Sequence, residues 1–344
     1  MLFYFLIFLL IVIFSLSKEG QLKKFLFIFT GLFLFLIAAF RGNIDNDYQA
    51  YVVLYEKAAL LTTIRIEPTF LLISFLTKHI FNNVQYLFVI YAFFGVFLKF
   101  YAIKNLTEFL LLSTLIYFSN FFIYQEMTQI RVGVASALIL ISLIPLFERK
   151  VWTFLIIVFI AFIFHYSAIL ALPLYLVNSR KMNILLFAII IPVSYFFYFF
   201  HIQVTFLIDL IPIPEINMKF HQYKTLSTLS NTKINVFNYL QISRCLLAYV
   251  FLMKWELLQA NNKFSVLLIK IYIIAISIVI LLIDIPAIGS RASELLMPVE
   301  IILIPFLMYV IKQKQLALAI VIGIALLFLC LDLFYTSLVL PYFS

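Results

Sequence analysis

The feature that most constrains this chain is a succession of uncharged apolar runs, each about as long as a bilayer is thick. Residues 1–17, 25–40, 182–200 and 315–331 hold no Asp, Glu, Lys or Arg. A hydrocarbon core of about 30 Å needs roughly 20 apolar residues per helical crossing. Within lipid a helix satisfies its own backbone N–H and C=O groups, so these runs read as helices. Composition agrees: the chain is 66% hydrophobic and 11% charged, whereas soluble domains carry about 25% charged residues. The fold class expected is an all-α, polytopic integral membrane helix bundle. Residues 1–344 form a single polytopic membrane domain, with no fixed-period repeat, low-complexity tract or separate soluble segment.

Twelve spans are expected, near 1–17, 24–40, 84–103, 108–124, 131–147, 151–165, 166–178, 183–200, 238–254, 264–284, 291–311 and 315–338. The pair 151–165 and 166–178 is short on each side, and a single bent helix is the alternative there. The first run lacks a basic start and a small-residue cleavage site, which reads as a retained helix rather than a signal peptide. A net charge of +9 in such a chain reports topology rather than nucleic-acid binding. The basic clusters at 18–24, 148–150, 179–181, 254–263 and 312–314 place those turns in the cytoplasm. Segments 41–66, 125–130, the bend near His165, 201–237 and 284–290 then face outward. Lys99 and Lys104 also prefer the inside, which makes 67–80 a re-entrant segment, tolerable only where buried in protein or lining a wet cavity. The long connection 201–237 is expected to cover an external cavity, although a plain linker fits its composition equally. Cys245 and Cys330 lie in apolar stretches and form neither a disulfide framework nor a metal site.

Ionisable residues among apolar runs are the candidate functional groups, because each costs about 2.5–3.5 kcal/mol at a bilayer centre. Four places carry them to the outer side. Arg41 follows an apolar run and, in FRGNIDNDYQAY, stands four residues from Asp45, so the two can pair on a helix. Arg131 opens QIRVGVASALILIS, whose Gly133, Ala135, Ser136 and Ala137 suit close packing against neighbouring helices. A cation at a helix N-terminus has no support from the dipole, which points to a shared anion or to an ion pair with Glu126 or Glu67. His165 sits in IFHYSAILALP beside Tyr166, either as a base or phosphate contact or as a satisfied core residue. Arg291 lies where a helix is expected to begin, after Gly289 and Ser290. Three outward arginines at one depth repel one another unless an anion joins them. Tyr48, Tyr51 and Tyr55 make an aromatic stripe suited to sugar rings or to a membrane-interface belt. Asp45 and Asp47 are candidate bases, or counter-charges for Arg41 and Arg65.

In order and spacing, FRGNIDNDYQAY, IEPTFLLISFL, QIRVGVASALILIS, FHYSAILALPLY and SRASELLMP resemble the EpsG family, from Phe40 to about Pro305. That family belongs with the Wzy-type polymerases of bacterial capsule, exopolysaccharide and O-antigen pathways. The Asp45–Tyr48 spacing matches its Asp-x-x-Tyr pattern better than Asp47 does. The resemblance implies a membrane glycosyltransferase of GT-C-like architecture in the bacterial cytoplasmic membrane, with its site on the extracytoplasmic side. It implies transfer of a growing glycan from undecaprenyl diphosphate to an undecaprenyl-diphosphate-linked repeat unit, with no metal, cofactor or nucleotide sugar. A chain-length regulator and a flippase of the same pathway are the partners it suggests, besides membrane lipids.

With no metal on the leaving diphosphate, arginine forks would neutralise it. Arg131 and Arg291, with Arg41, are the expected diphosphate clamp, and Asp45 or His165 the expected base. Tyr48 and Tyr51, with Gln129 and Tyr166, would contact sugar or acceptor, and Glu67 would orient an arginine or the acceptor. A lipid-linked glycan ligase, a flippase or transporter, and a membrane O-acyltransferase using His165 remain as alternatives. Few glycines and no repeat weigh against the transporter.

Overall fold

A computed structural model of the chain describes residues 1–17, 20–59, 66–202, 225 and 235–342. Among these residues the secondary structure is helical throughout, apart from one isolated antiparallel bridge between Asp45 and Val339. Two compact units are formed, one by Met1–Ile169 with Glu300–Ser344, the other by Leu170–Val299.

The first unit begins with α1 (Leu2–Ser15) and α2 (Gln21–Ala39), followed by the short α3 (Tyr48–Ala59) and α4 (Pro68–Phe81). Pro68 starts α4 as its first residue, where the missing N–H costs nothing. Fourteen residues of α-helix rise about 21 Å, which is short of a bilayer core. Next come α5 (Gln85–Leu106) and α6 (Leu110–Ile116), the latter continued as a π-helix over Tyr117–Thr128. Then follow α7 (Ile130–Phe147) and α8 (Val151–Phe164). The small residues of α7 let it pack closely against α5 and α8, and it is buried nearly all round. By contrast α1 and α2 bury one stripe and expose Leu6, Leu9, Phe25, Ile28 and Leu32, as helices facing lipid do.

In the second unit α9 (Ile184–Phe199), α10 (Tyr239–Met253), α11 (Trp255–Asn261) and α13 (Pro286–Leu296) surround α12 (Ser265–Leu281), which is buried on most of its length. Asn183 and Asn238 cap α9 and α10 through their side-chain oxygens. Lys270, buried on α12, donates to the carbonyls of Asn178 (2.7 Å) and Lys181 (2.5 Å). Helical structure runs on from Pro286 to Val310, and α14 (Lys314–Cys330) closes the chain's membrane segments.

Several expectations change. Five helical segments among the described residues are long and apolar enough to cross a membrane, and seven more are apolar but only 10–17 residues long. The expected span 108–124 changes winding at Tyr117 and runs on to Thr128 as a π-helix. Residues 166–176 wind as a 3₁₀ helix, separated from α8 by the extended backbone of His165, so the bend near His165 is a true break. Lys99 is fully buried in the bundle and carries no topological information, which removes one of the two supports for a re-entrant 67–80. The expected lid over 201–237 falls almost wholly outside the described residues, as does Arg65.

Candidate functional site

Three element ends meet in the first unit. Glu67 precedes α4 in extended conformation, Arg131 is the second residue of α7, and His165 stands just past the end of α8. Glu67 bridges the other two. One carboxylate oxygen, Oε2, takes Arg131 Nη1, and the other, Oε1, lies 2.9 Å from His165 Nδ1. Thr69 Oγ1 donates to the carbonyl of Ile163 (2.7 Å), and Tyr166 Oη donates to that of Ile66 (3.0 Å). These two bonds hold the start of α4 against the end of α8, and so fix Glu67 relative to His165.

Burial raises the Glu67 pKa, but the His165 hydrogen bond and the Arg131 charge outweigh it and hold the carboxyl down at about 2. Glu67 therefore accepts only. His165 must donate from Nδ1, and a neutral ring then presents its lone pair at Nε2. That Nε2 is buried and has no hydrogen-bond partner among the described residues. Arg131 keeps a quarter of its side chain accessible. Its guanidinium lies 5.7 Å from the ring centroids of both Tyr51 and Phe70.

Beside this lies Arg41, just past α2 and 1% exposed. Its Nε is 3.1 Å from Asp45 Oδ2, and its Nη1 donates to the Glu126 carbonyl at 2.6 Å. The guanidinium lies 4.5 Å from the Phe88 ring centroid, and Nη2 has no partner among the described residues. Tyr48 stacks on the same Phe88 ring (5.0 Å), and Tyr51 meets it edge-on at 6.4 Å. Phe88, Tyr51 and Phe70 thus form one aromatic wall with Arg41 against one part of it and Arg131 against another.

Asp45 is tied on both oxygens. The Asp47 N–H donates to Oδ1 (3.0 Å), and Oδ2 forms an ion pair with Arg41 Nε at 3.1 Å without hydrogen-bond geometry. Burial pushes its pKa up, against the pull of Arg41. The loop around it is braced from the far end of the chain: Leu340 N–H donates to the Ile44 carbonyl (2.7 Å), and Tyr342 Oη to that of Ile37 (3.0 Å). No residue pattern in the sequence marks 337–342 for this role.

The structure brings together Arg41, Asp45, Tyr48, Tyr51, Glu67, Arg131, His165 and Tyr166. Gln129 is the residue before α7, and its side chain donates to Tyr124 Oη at 2.9 Å. Arg291 belongs to the other unit, where it is exposed. It is not a helix-start arginine: Pro286 begins α13, so Arg291 is the sixth residue. Sequence reasoning missed Lys99 as a partner. Lys99 Nζ meets Glu126 Oε1 at 2.6 Å with both side chains buried. Opposite charges inside apolar sequence were the available signal.

A family model described as the EpsG family matches residues 24–344, which include every residue of this cluster. No curated protein and no solved structure matches the chain.

Proposed function

The chain belongs to the EpsG family of Wzy-type polysaccharide polymerases, and from that premise we propose a specific reaction. A growing glycan is transferred from undecaprenyl diphosphate to the sugar hydroxyl of a lipid-linked repeat unit, at the outer face of the bacterial cytoplasmic membrane. The observation that carries this reading is the chain of contacts Arg131–Glu67–His165, with a buried imidazole nitrogen left without a partner.

His165 Nε2 takes the proton of the acceptor hydroxyl, and the hydroxyl oxygen attacks the anomeric carbon of the donor. The bond from that carbon to the diphosphate oxygen breaks, and the diphosphate leaves with the electron pair. Glu67 stabilises the imidazolium so formed, as a carboxylate does when it orients a histidine base. Arg131, a quarter of whose side chain is accessible, and the unpartnered Nη2 of Arg41 meet the leaving diphosphate. Stabilising that developing charge is a leading electrostatic contribution in group transfer. Arginine suits the task because its fork stays charged and matches phosphate oxygens. The half-buried Tyr48 and the exposed Tyr166 offer flat apolar faces to the sugars, whereas Tyr51, expected to do the same, is buried and backs the Arg131 guanidinium instead. With both oxygens engaged, Asp45 serves better as the group that orients Arg41 than as a base.

The test is reconstitution of the purified chain in liposomes with a defined undecaprenyl-diphosphate oligosaccharide. A ladder of lipid-linked multiples is expected, and His165→Ala abolishes it. Movement of the substrate across the bilayer without elongation would replace this reading by a flippase, and a single transfer to a non-carrier acceptor by a ligase.

A further inference from the structure

Glu126 is held at two points that the proposed reaction does not use directly. Its carboxylate pairs with Lys99 at 2.6 Å, and Lys99 Nζ also donates to the Gly133 carbonyl at 3.0 Å. Both residues are at most 1% exposed. The carboxylate runs through a slot between α5 and α7 that only glycine leaves open. A Cβ on Gly95 would overlap Glu126 Oε2, and one on Gly133 would lie 2.7 Å from it. The backbone of the same residue does something different: its carbonyl accepts Arg41 Nη1 at 2.6 Å. Glu126 sits two residues before the end of the π-helix, where backbone carbonyls lack intrahelical donors.

We propose that Lys99 and Glu126 are positioning residues for Arg41. The buried ion pair pins the last turn of the π-helix between α5 and α7, and that turn aims the Glu126 carbonyl at the guanidinium. A buried ion pair is a poor way to gain stability, since apolar residues of similar volume often do as well or better. Its value here is geometric. It fixes one acceptor for Arg41, Asp45 fixes another, and Phe88 fixes the plane, so Nη2 is left pointing in one direction. This rests on the proposed function only in taking Arg41 as a contact of the donor diphosphate.

The experiment uses the full chain in nanodiscs and two readouts. The first is thermal unfolding of wild type, Arg41→Met, Glu126→Gln and the double variant. If the residues act as one unit, the double variant loses no more in midpoint than the worse single variant. The second is elongation of a defined undecaprenyl-diphosphate oligosaccharide by the neutral-pair variant Lys99→Met/Glu126→Leu, which removes both buried charges and so leaves neither unpaired. Its KM is expected to rise about tenfold, and combining it with Arg41→Met brings the KM only to that of Arg41→Met alone. Additive midpoint losses, or a neutral-pair variant with the wild-type KM, would overturn the proposal. Should wild type elongate nothing, the polymerase reading fails while the thermal cycle still decides whether the pair holds Arg41.

Discussion

Glu67 and His165 stand 98 positions apart and share a hydrogen bond of 2.9 Å in a buried setting. The bond fixes which imidazole nitrogen is left for chemistry, because an ionised carboxylate cannot donate. It also has a pH signature. Glu67 is held at about 2, below its ordinary 4.5, so its stabilising effect is complete above about pH 4.5 and drains away as pH falls toward about 2. The difference corresponds to roughly 3 kcal/mol at neutral pH. The unfolding midpoint of the wild type is expected to fall on acidification from about pH 5 to pH 3, with a shallower fall in Glu67→Gln. Parallel profiles for the two proteins would show that Glu67 does not carry this linkage.

Arg131→Lys keeps the charge and loses the fork. A lysine reaches Glu67 with one point charge and cannot also present parallel N–H donors to a phosphate. Loss of polymer is expected, with single repeat units left on the carrier. Normal chain length at normal protein level would take Arg131 out of the site.

Glycine substitutions should sort by what surrounds them. Gly133→Ala forces a methyl to within 2.7 Å of the Glu126 carboxylate and 3.0 Å of the Gln125 carbonyl. Overpacking of this kind costs about 1–3 kcal/mol. Gly323→Ala meets nothing within 4 Å and should match or slightly exceed wild-type stability, given its better helix propensity. Thermal unfolding of the two variants in one detergent reads the contrast directly. Equal midpoints would mean that the slot between α5 and α7 is not tight.

The brace on the Arg41 loop predicts a long-range effect. Leu340→Pro removes the N–H that bonds the Ile44 carbonyl; loss of such a bond costs about 0.5–1.5 kcal/mol. Faster labelling of a cysteine placed at the exposed Asn43 is expected, together with reduced elongation. Unchanged labelling would show that residues 337–342 do not restrain that loop.

The sequence by itself determined the class of this protein and its family. Uncharged runs of bilayer length leave no soluble alternative, and five ordered blocks carry the EpsG resemblance. It also singled out the small-residue face of α7 and most of the ionisable groups that prove to be neighbours, since charge in apolar sequence is costly wherever it falls. Which groups pair was decided only by tertiary structure. Arg131 had Glu126 and Glu67 as candidate partners in the sequence. It takes Glu67 because α4 begins beside α7, while Lys99 from α5 claims Glu126. Hydropathy is a property of segments and survives any arrangement of them. A hydrogen bond depends on ångström-scale placement of two element ends, and nothing local in either segment encodes the other's position. That is why Lys99 read as a topology marker, why the bracing segment 337–342 went unseen, and why the unpartnered nitrogen of His165 appears only once α4, α7 and α8 are packed together.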